Sequence, residues 1–393
     1  MWRTARVLRR GPCAPRRGCR GASFGEASSV PLGGLEPRAV PLPGGDRRTG
    51  GSKPSGWKKL TNAELDAWGT DPAVRGHAYS RPSYEPYKTS VINEHGLGMQ
   101  PPDGWAVQLV SAAGMKGKGG HSNQDAFSYT VLENGWLFCV ACDGHGQQGE
   151  VVSERVARML PLFLSRHIED SSPDDALRTA FALTQKDLEL GFRTAQAYSG
   201  AAVAMFAVQL ERREAWFAHA GDTRVVLGDL ASGTPVFITE EHKAHEPGEH
   251  RRLRAAGAKI VERRYDCGEV VSRIFVPRTG VPGLAMSRSL GDGCLKPYGV
   301  TSEPEINNVS GLWAESESPV AVLGSDGLWD SIDVEETISL LAARRQAGLD
   351  VEQGIEALCR RAQRLWIEAE GDYCDDVTVL LVAPKSSLSR RQD

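Results

Sequence analysis

The chain has 393 residues, 40% of them hydrophobic and 24% charged, with a formal net charge of −4. That length allows two or three average domains, or one large domain with a tail. The balance of charge offers no basic stripe with interleaved aromatics, which argues against nucleic acid as a partner. No apolar run approaches the ~18 residues needed to cross a bilayer as a helix, so the body is read as soluble, without a transmembrane segment, and intracellular.

The first 25 residues carry seven arginines and no acid precedes Glu26. An Arg-rich, acid-free start is the pattern of an organelle transit peptide, with Arg20-Gly21-Ala22-Ser23 as a processing point. A basic tail without an address is the alternative. The expected location is therefore cytoplasmic or nuclear, with a mitochondrion or plastid open. Residues 27–56 are rich in Gly, Pro and Ser, so 1–56 is expected to be disordered. Thr61-Asn62-Ala63-Glu64 has the form of a capping box, with Leu65 and Trp68 on one face of a short helix. The span 57–104 is read as a partly ordered, otherwise irregular extension, and the folded body as 105–384, followed by a short tail, 385–393.

Within the body, apolar or alternating runs predict strands at Trp105–Val110, Ala126–Leu132, Trp136–Ala141, Ala201–Leu210, Ala215–Ala218 and Val225–Leu227. Three- and four-residue spacing predicts helices over Val151–Ile168 and Pro173–Phe192. A further helix runs from about Glu249 to Ala256 and is stopped by Gly257. Then follow a strand at Val320–Gly324, helices at Val334–Arg345 and Val351–Ala369, and a last strand at Val377–Val382. Strands and helices in blocks, without strict alternation, point to an α+β fold with antiparallel sheets and helices packed outside.

The eight cysteines are dispersed, which suits a reducing compartment better than a disulfide framework. Cys139-Val140-Ala141-Cys142 has redox or zinc spacing, but residues three apart on a strand face opposite ways, so both are read as buried small side chains.

Directly after the apolar run Trp136–Ala141 comes Cys142-Asp143-Gly144-His145-Gly146. Here the backbone is expected to turn out of the core. Asp143 can hold a hard cation, the carbonyl of Gly144 can approach it because no Cβ intervenes, and His145 stands within reach. Other acids occupy similar places: Asp125, Asp222 in Gly221-Asp222-Thr223-Arg224, Asp292 after Gly291, Asp326 after Ser325, and Asp375-Asp376 before the last strand. Singly, each is an ordinary turn or cap residue. Together they argue for a cation site, because clustered carboxylates raise one another's pKa unless a metal neutralises them. All-oxygen ligation favours Mg²⁺ or Mn²⁺ over zinc.

Seven motifs then follow in order: Asn123-Gln124-Asp125, Asp143-Gly144-His145-Gly146, Gly221-Asp222-Thr223-Arg224, Glu241-His242-Lys243 with Arg252 downstream, Leu284 to Asp292, Ser325 to Asp330, and Asp375-Asp376-Val377-Thr378. This order resembles the type 2C family of metal-dependent serine/threonine protein phosphatases over roughly 105–384. The resemblance implies a four-layer α-β-β-α sandwich of two antiparallel sheets flanked by helices, with two metal ions at one end of the paired sheets. It implies that Asp143 bridges the ions, that Gly144 offers its carbonyl, and that Asp326 and Asp375 complete one shell. Asp125 would hold water, Asp222 would serve a weaker third ion, and Asp292 would be a supporting acid. The implied reaction is hydrolysis of phosphoserine or phosphothreonine in protein substrates by a metal-bridged water, with His145 as general acid and a monomeric enzyme.

Two positions depart from the family pattern. Gly120 stands where an Arg or Lys usually clamps the substrate phosphate, leaving Lys118 or His121 to reach in, and Ala202 stands near a usual Thr. A binding module that keeps the fold without activity, and a two-metal phosphoesterase for small esters, are the alternatives. Residues between Arg263 and Val281 lie where the family has a variable flap.

Overall fold

The structure, a computed structural model, describes residues 60–79, 89–92, 102–116, 122–265, 270–278, 280 and 282–389. The expected disordered region 1–56 lies outside the described residues.

In chain order the elements begin with α1 (Asn62–Trp68), β1 (Val74–Tyr79), β2 (Thr89–Ile92), β3 (Trp105–Ala112), β4 (Met115–Lys116), β5 (Asp125–Leu132) and β6 (Trp136–His145). Helices α2 (Gly149–Ser165), α3 (Pro173–Gly191) and α4 (Arg193–Tyr198) follow, then β7 (Gly200–Gln209), β8 (Glu214–Ala220), β9 (Arg224–Asp229) and β10 (Thr234–Ile238). After α5 (Pro247–Ala255) come β11 (Lys259–Arg264), β12 (Val270–Phe275), β13 (Leu290–Gly291) and β14 (Glu305–Asn308), then α6 (Ser310–Glu315) and β15 (Pro319–Gly324). The chain continues through α7 (Asp326–Trp329), α8 (Val334–Gln346), α9 (Gly354–Glu370), β16 (Tyr373–Cys374), β17 (Val377–Pro384) and α10 (Lys385–Leu388).

One sheet has the order β1-β5-β6-β7-β8-β14, with β13 also paired to β7, and the other β10-β9-β15-β17-β3-β2. The pairs in both are antiparallel. The pleat distributes each strand between two cores. Along β6, Phe138, Val140 and Cys142 join the core beneath α2 and α3, whereas Leu137, Cys139 and Ala141 enter the core between the sheets. Along β17, Leu380 and Val382 face between the sheets and Val379, Leu381 and Ala383 face α8 and α9. Three stacked cores make four layers, helices outside and sheets inside. Each fully buried Leu, Val or Phe in them contributes about 1.5–3 kcal/mol. The alternation also places Cys139 and Cys142 in different cores, and both are free thiols.

Several differences from the sequence reading have local causes. The segment before Trp105, read as irregular after its first helix, supplies β1, which pairs with β5, and β2, which pairs with β3. The capping box is present: Thr61 N–H donates to Glu64 Oε2 at 2.7 Å and Glu64 N–H to Thr61 Oγ1 at 3.2 Å. Helix α9 begins at Gly354, not Val351, because Asp350 Oδ1 takes the Glu352 N–H at 2.8 Å and holds a turn there. The hairpin β11–β12 gives no strand signal in the sequence because β11 has two adjacent apolar residues among four charged ones and β12 lacks alternation. The tail carries α10, whose Lys385 N–H donates to Gly104 O at 2.8 Å.

Candidate active site

Strand β6 does not turn out of the core at Asp143. It continues through His145, because Gly200, Ala201 and Ala202 of β7 are small enough to pair with His145, Gly144 and Asp143. Asp125 opens β5 directly opposite Asp143 in the same sheet. The facing sheet supplies Asp326, at the start of α7 after β15, and Asp375 just before β17. The two sheets thus bring carboxylates from four segments to one end of the sandwich. Gly144 is fixed by space: a Cβ there would lie 2.6 Å from Gly149 O.

The electrostatics reflect this crowding. Burial pushes the Asp143 carboxyl well above the usual range, and Asp125 and Asp375 push it further, while Asp326 lies in hydrogen-bonding reach. Asp326 is raised by burial and then by Asp143, Asp375 and Asp222. Asp125 is raised by burial and by Asp376, against hydrogen bonds from Ser325 and Thr378. The Ser325 Oγ–H donates to Asp125 Oδ2 at 2.7 Å. Such a donor set, all oxygen and mutually repelling, fits hard divalent cations.

Asp222 has different company. Burial alone would raise it, but the Lys243 ammonium in contact with Oδ2 holds it below the usual range. Its Oδ1 is buried without a hydrogen-bond partner among the described residues. Asp292 does not join the carboxylate group. It sits in the left-handed region at φ 50°, where aspartate is tolerated, and its Oδ2 meets His145 Nε2 at 2.7 Å and Ser289 Oγ at 2.6 Å. Burial would lower the His145 pKa, but Asp292 overcomes this and raises it. Gly200 makes room for the pair, since a Cβ there would lie 2.7 Å from His145 Nε2. The His145 Nδ1 has no partner among the described residues.

Three residues quoted in the motifs but given no role there also belong to this end. Asp376 Oδ1 accepts from Gly114 N–H at 2.7 Å and its Oδ2 from Gln124 N–H at 3.0 Å, tying the loop before β5 to β17. Lys243 neutralises Asp222, and Asp330 adds negative charge beside Asp326. Lys118, His121 and Gly120 lie outside the described residues. Ala202 is fully buried and abuts Gly221, where a Cβ would lie 2.5 Å from the Ala202 methyl.

An α-β-β-α sandwich with carboxylates gathered at one end of its paired sheets is thus the class that fold and site define. Comparison with known proteins is specific: the family profile described as Protein phosphatase 2C matches residues 111–366, and the chain belongs to that family. The match stops short of Asp375 and Asp376. The Oryza sativa subsp. japonica protein named Probable protein phosphatase 2C 64 is 30% identical over 260 residues, 63% of this chain and 59% of that protein. The Mus musculus protein named Probable protein phosphatase 1N is 32% identical over 234 residues, 56% of this chain and 52% of its own length. The aligned region therefore spans between half and three-fifths of these two relatives. Among solved structures, the serine-threonine phosphatase 2C from Toxoplasma gondii superposes with a TM-score of 0.58 at 17% identity, covering 79% of this chain and 99% of that one. That likeness speaks for the fold.

Proposed function

We propose that the chain hydrolyses phosphoserine and phosphothreonine in protein substrates with the help of two Mg²⁺ or Mn²⁺ ions. The observation that carries this reading is the convergence of Asp125, Asp143, Asp326 and Asp375, whose mutual repulsion must be relieved by protons or, at neutral pH, by a bound cation. Asp143 would bridge the ions, with the Gly144 carbonyl, Asp326 and Asp375 as further ligands and Asp125 holding water. Asp222 would serve a weaker third ion in competition with Lys243. Bound divalent ions supply an acidified water and neutralise phosphoryl charge.

The protein's own groups then deal with the leaving alkoxide, which needs a proton. His145 supports that role: Asp292 pins its Nε2 at 2.7 Å and leaves Nδ1 for the leaving oxygen. Asp292 is a positioning residue here. Lys118 and His121 are the proposed phosphate contacts, in place of the clamp that Gly120 cannot provide.

The test is hydrolysis of p-nitrophenyl phosphate with Mn²⁺ against Asp143→Ala, followed by kcat/KM on a phosphothreonine peptide and on small phosphate esters. A metal-dependent rate that Asp143→Ala abolishes, with preference for the peptide, is expected. A wild-type rate no higher than that of the variant would leave a binding module. Strong preference for small esters would remove the protein substrate.

A further inference from the structure

Behind Asp222 and Lys243, three side chains are assembled in a way the phosphatase reading does not use. His219 of β8, His242 after β10 and Glu305 of β14 each offer a ligand atom, and these atoms lie within 4.8 Å of one another. Strand pairing sets Glu305 directly opposite His219. The His242 ring stacks on His219 with centroids 4.5 Å apart. Both histidines are buried, while the Glu305 side chain is 38% exposed and forms the open side.

The proton positions matter most. His219 Nε2 lies 2.7 Å from the Glu240 carbonyl oxygen, which can only accept, so Nε2 carries the hydrogen and Nδ1 is a bare lone pair. That Nδ1 is buried without a hydrogen-bond partner among the described residues. An imidazole anchored to a backbone carbonyl at one nitrogen and bare at the other has the arrangement of a metal-ligating histidine. Burial, then His242, lowers the His219 pKa to about 4, so no proton competes for the lone pair at neutral pH. His242 Nδ1 accepts from Gly221 N–H at 3.1 Å, and its Nε2 faces Glu305 Oε2 at 3.4 Å. For an ion to bind, the His242 Nε2 proton must leave to bulk water by way of the exposed Glu305 carboxylate, so that His242 ligates as an imidazolate whose Nδ1 the Gly221 N–H stabilises. The nearby Arg288 guanidinium, which would repel a cation, is committed to Glu249 at 2.9 Å.

We propose that His219, His242 and Glu305 form a second cation site, separate from the aspartate pocket and suited to a zinc-class transition ion. Two imidazoles and a carboxylate are a zinc-type donor set, with the exposed edge at Glu305 leaving a fourth position for water. Mg²⁺ prefers oxygen donors throughout. An ion there fastens β8, β14 and the loop that carries Lys243 to one another.

The test uses the full chain, stripped with a chelator, returned to excess Mg²⁺ and titrated with Zn²⁺, with Co²⁺ as a spectroscopic probe. One equivalent of Zn²⁺ retained against Mg²⁺, and a visible Co²⁺ band of four-coordinate intensity, are expected. His219→Asn should weaken Zn²⁺ binding roughly 100-fold or more. Glu305→Gln, at a half-exposed position that spares the fold, should weaken it in the same direction, while Asp143→Asn should retain the equivalent. The site is overturned if the wild type retains no Zn²⁺ against Mg²⁺. It is equally overturned if both His219→Asn and Glu305→Gln bind as the wild type does, or if Asp143→Asn abolishes the retained ion.

Discussion

Buried acids in this domain fall into two groups with opposite behaviour. At the open end of the sandwich, burial and then neighbouring acids push Asp125, Asp143 and Asp326 well above the usual carboxyl range. In the first turn of α5, Glu249 is also shielded from water, yet two arginines and a serine hold it below that range. Arg252 grips it with two nitrogens at 2.7 Å each, Arg288 reaches it at 2.9 Å, and Ser287 Oγ–H donates to Oε2. Glu249 brings its own counter-charges from within the chain. The aspartates do not, and that separates an acid kept for a ligand from an acid kept for structure.

Removing Asp143 should break the comparison most strongly. Asp143→Asn is expected to lose several kcal/mol of transition-state stabilisation, about 10³-fold or more in kcat/KM. In chelator the same variant should melt higher than the wild type, by on the order of 1 kcal/mol, because one repelling charge is gone. A lower melting point in chelator would show that the pocket stores no repulsion.

His145→Gln comes next, with a loss of about 10²–10⁴ in kcat on a phosphothreonine peptide. The loss should be much smaller on p-nitrophenyl phosphate, whose leaving group needs no proton, and equal losses on both substrates would remove the general-acid role. Glu249→Gln should destabilise the fold by roughly 2–3 kcal/mol, discounted because Arg252 is 33% exposed and can rehydrate. Melting in chelator and in Mn²⁺ should show the same drop, since Glu249 does not depend on the ion.

The smallest effect is on pH. Without ions the folded state binds more protons than the unfolded chain at Asp125, Asp143 and Asp326, so stability should fall as pH rises above their ordinary 3.8 toward the raised values. Saturating Mn²⁺ should flatten that slope. Glu249 has the opposite sign: its contribution is present above the ordinary 4.5 and is lost as pH falls toward the depressed folded value. Melting curves from pH 2 to 8, with and without ions, separate the two.

Most of the layered fold was legible because the central strands and long helices announce themselves by period. Trp136–Ala141 and Val377–Val382 are apolar runs that fill two cores each. The acids were legible as a set only because each follows or precedes such a run. The pairing of His145 with Asp292 was not, since 147 positions separate them and a left-handed residue aims the carboxylate. His219 carries no motif either. It becomes notable only when β14 lies down beside β8 and the His242 ring stacks on it. Hairpin β11–β12 was not legible because β11 sets only Ile260 and Val261 among four charged residues, and the apolar Val270, Val271, Ile274 and Phe275 of β12 do not alternate.

Strand β17 is the last strand among the described residues, yet it lies in the interior of its sheet, between β15 and β3. On the ribosome that sheet must therefore wait as two separate halves, with Asp375 and Asp376 still inside the exit tunnel. Nascent chains would lack a complete carboxylate pocket until this strand had emerged, and a chain cut short before it would lose Asp375 and Asp376 together with the seam that joins the two halves of the sheet.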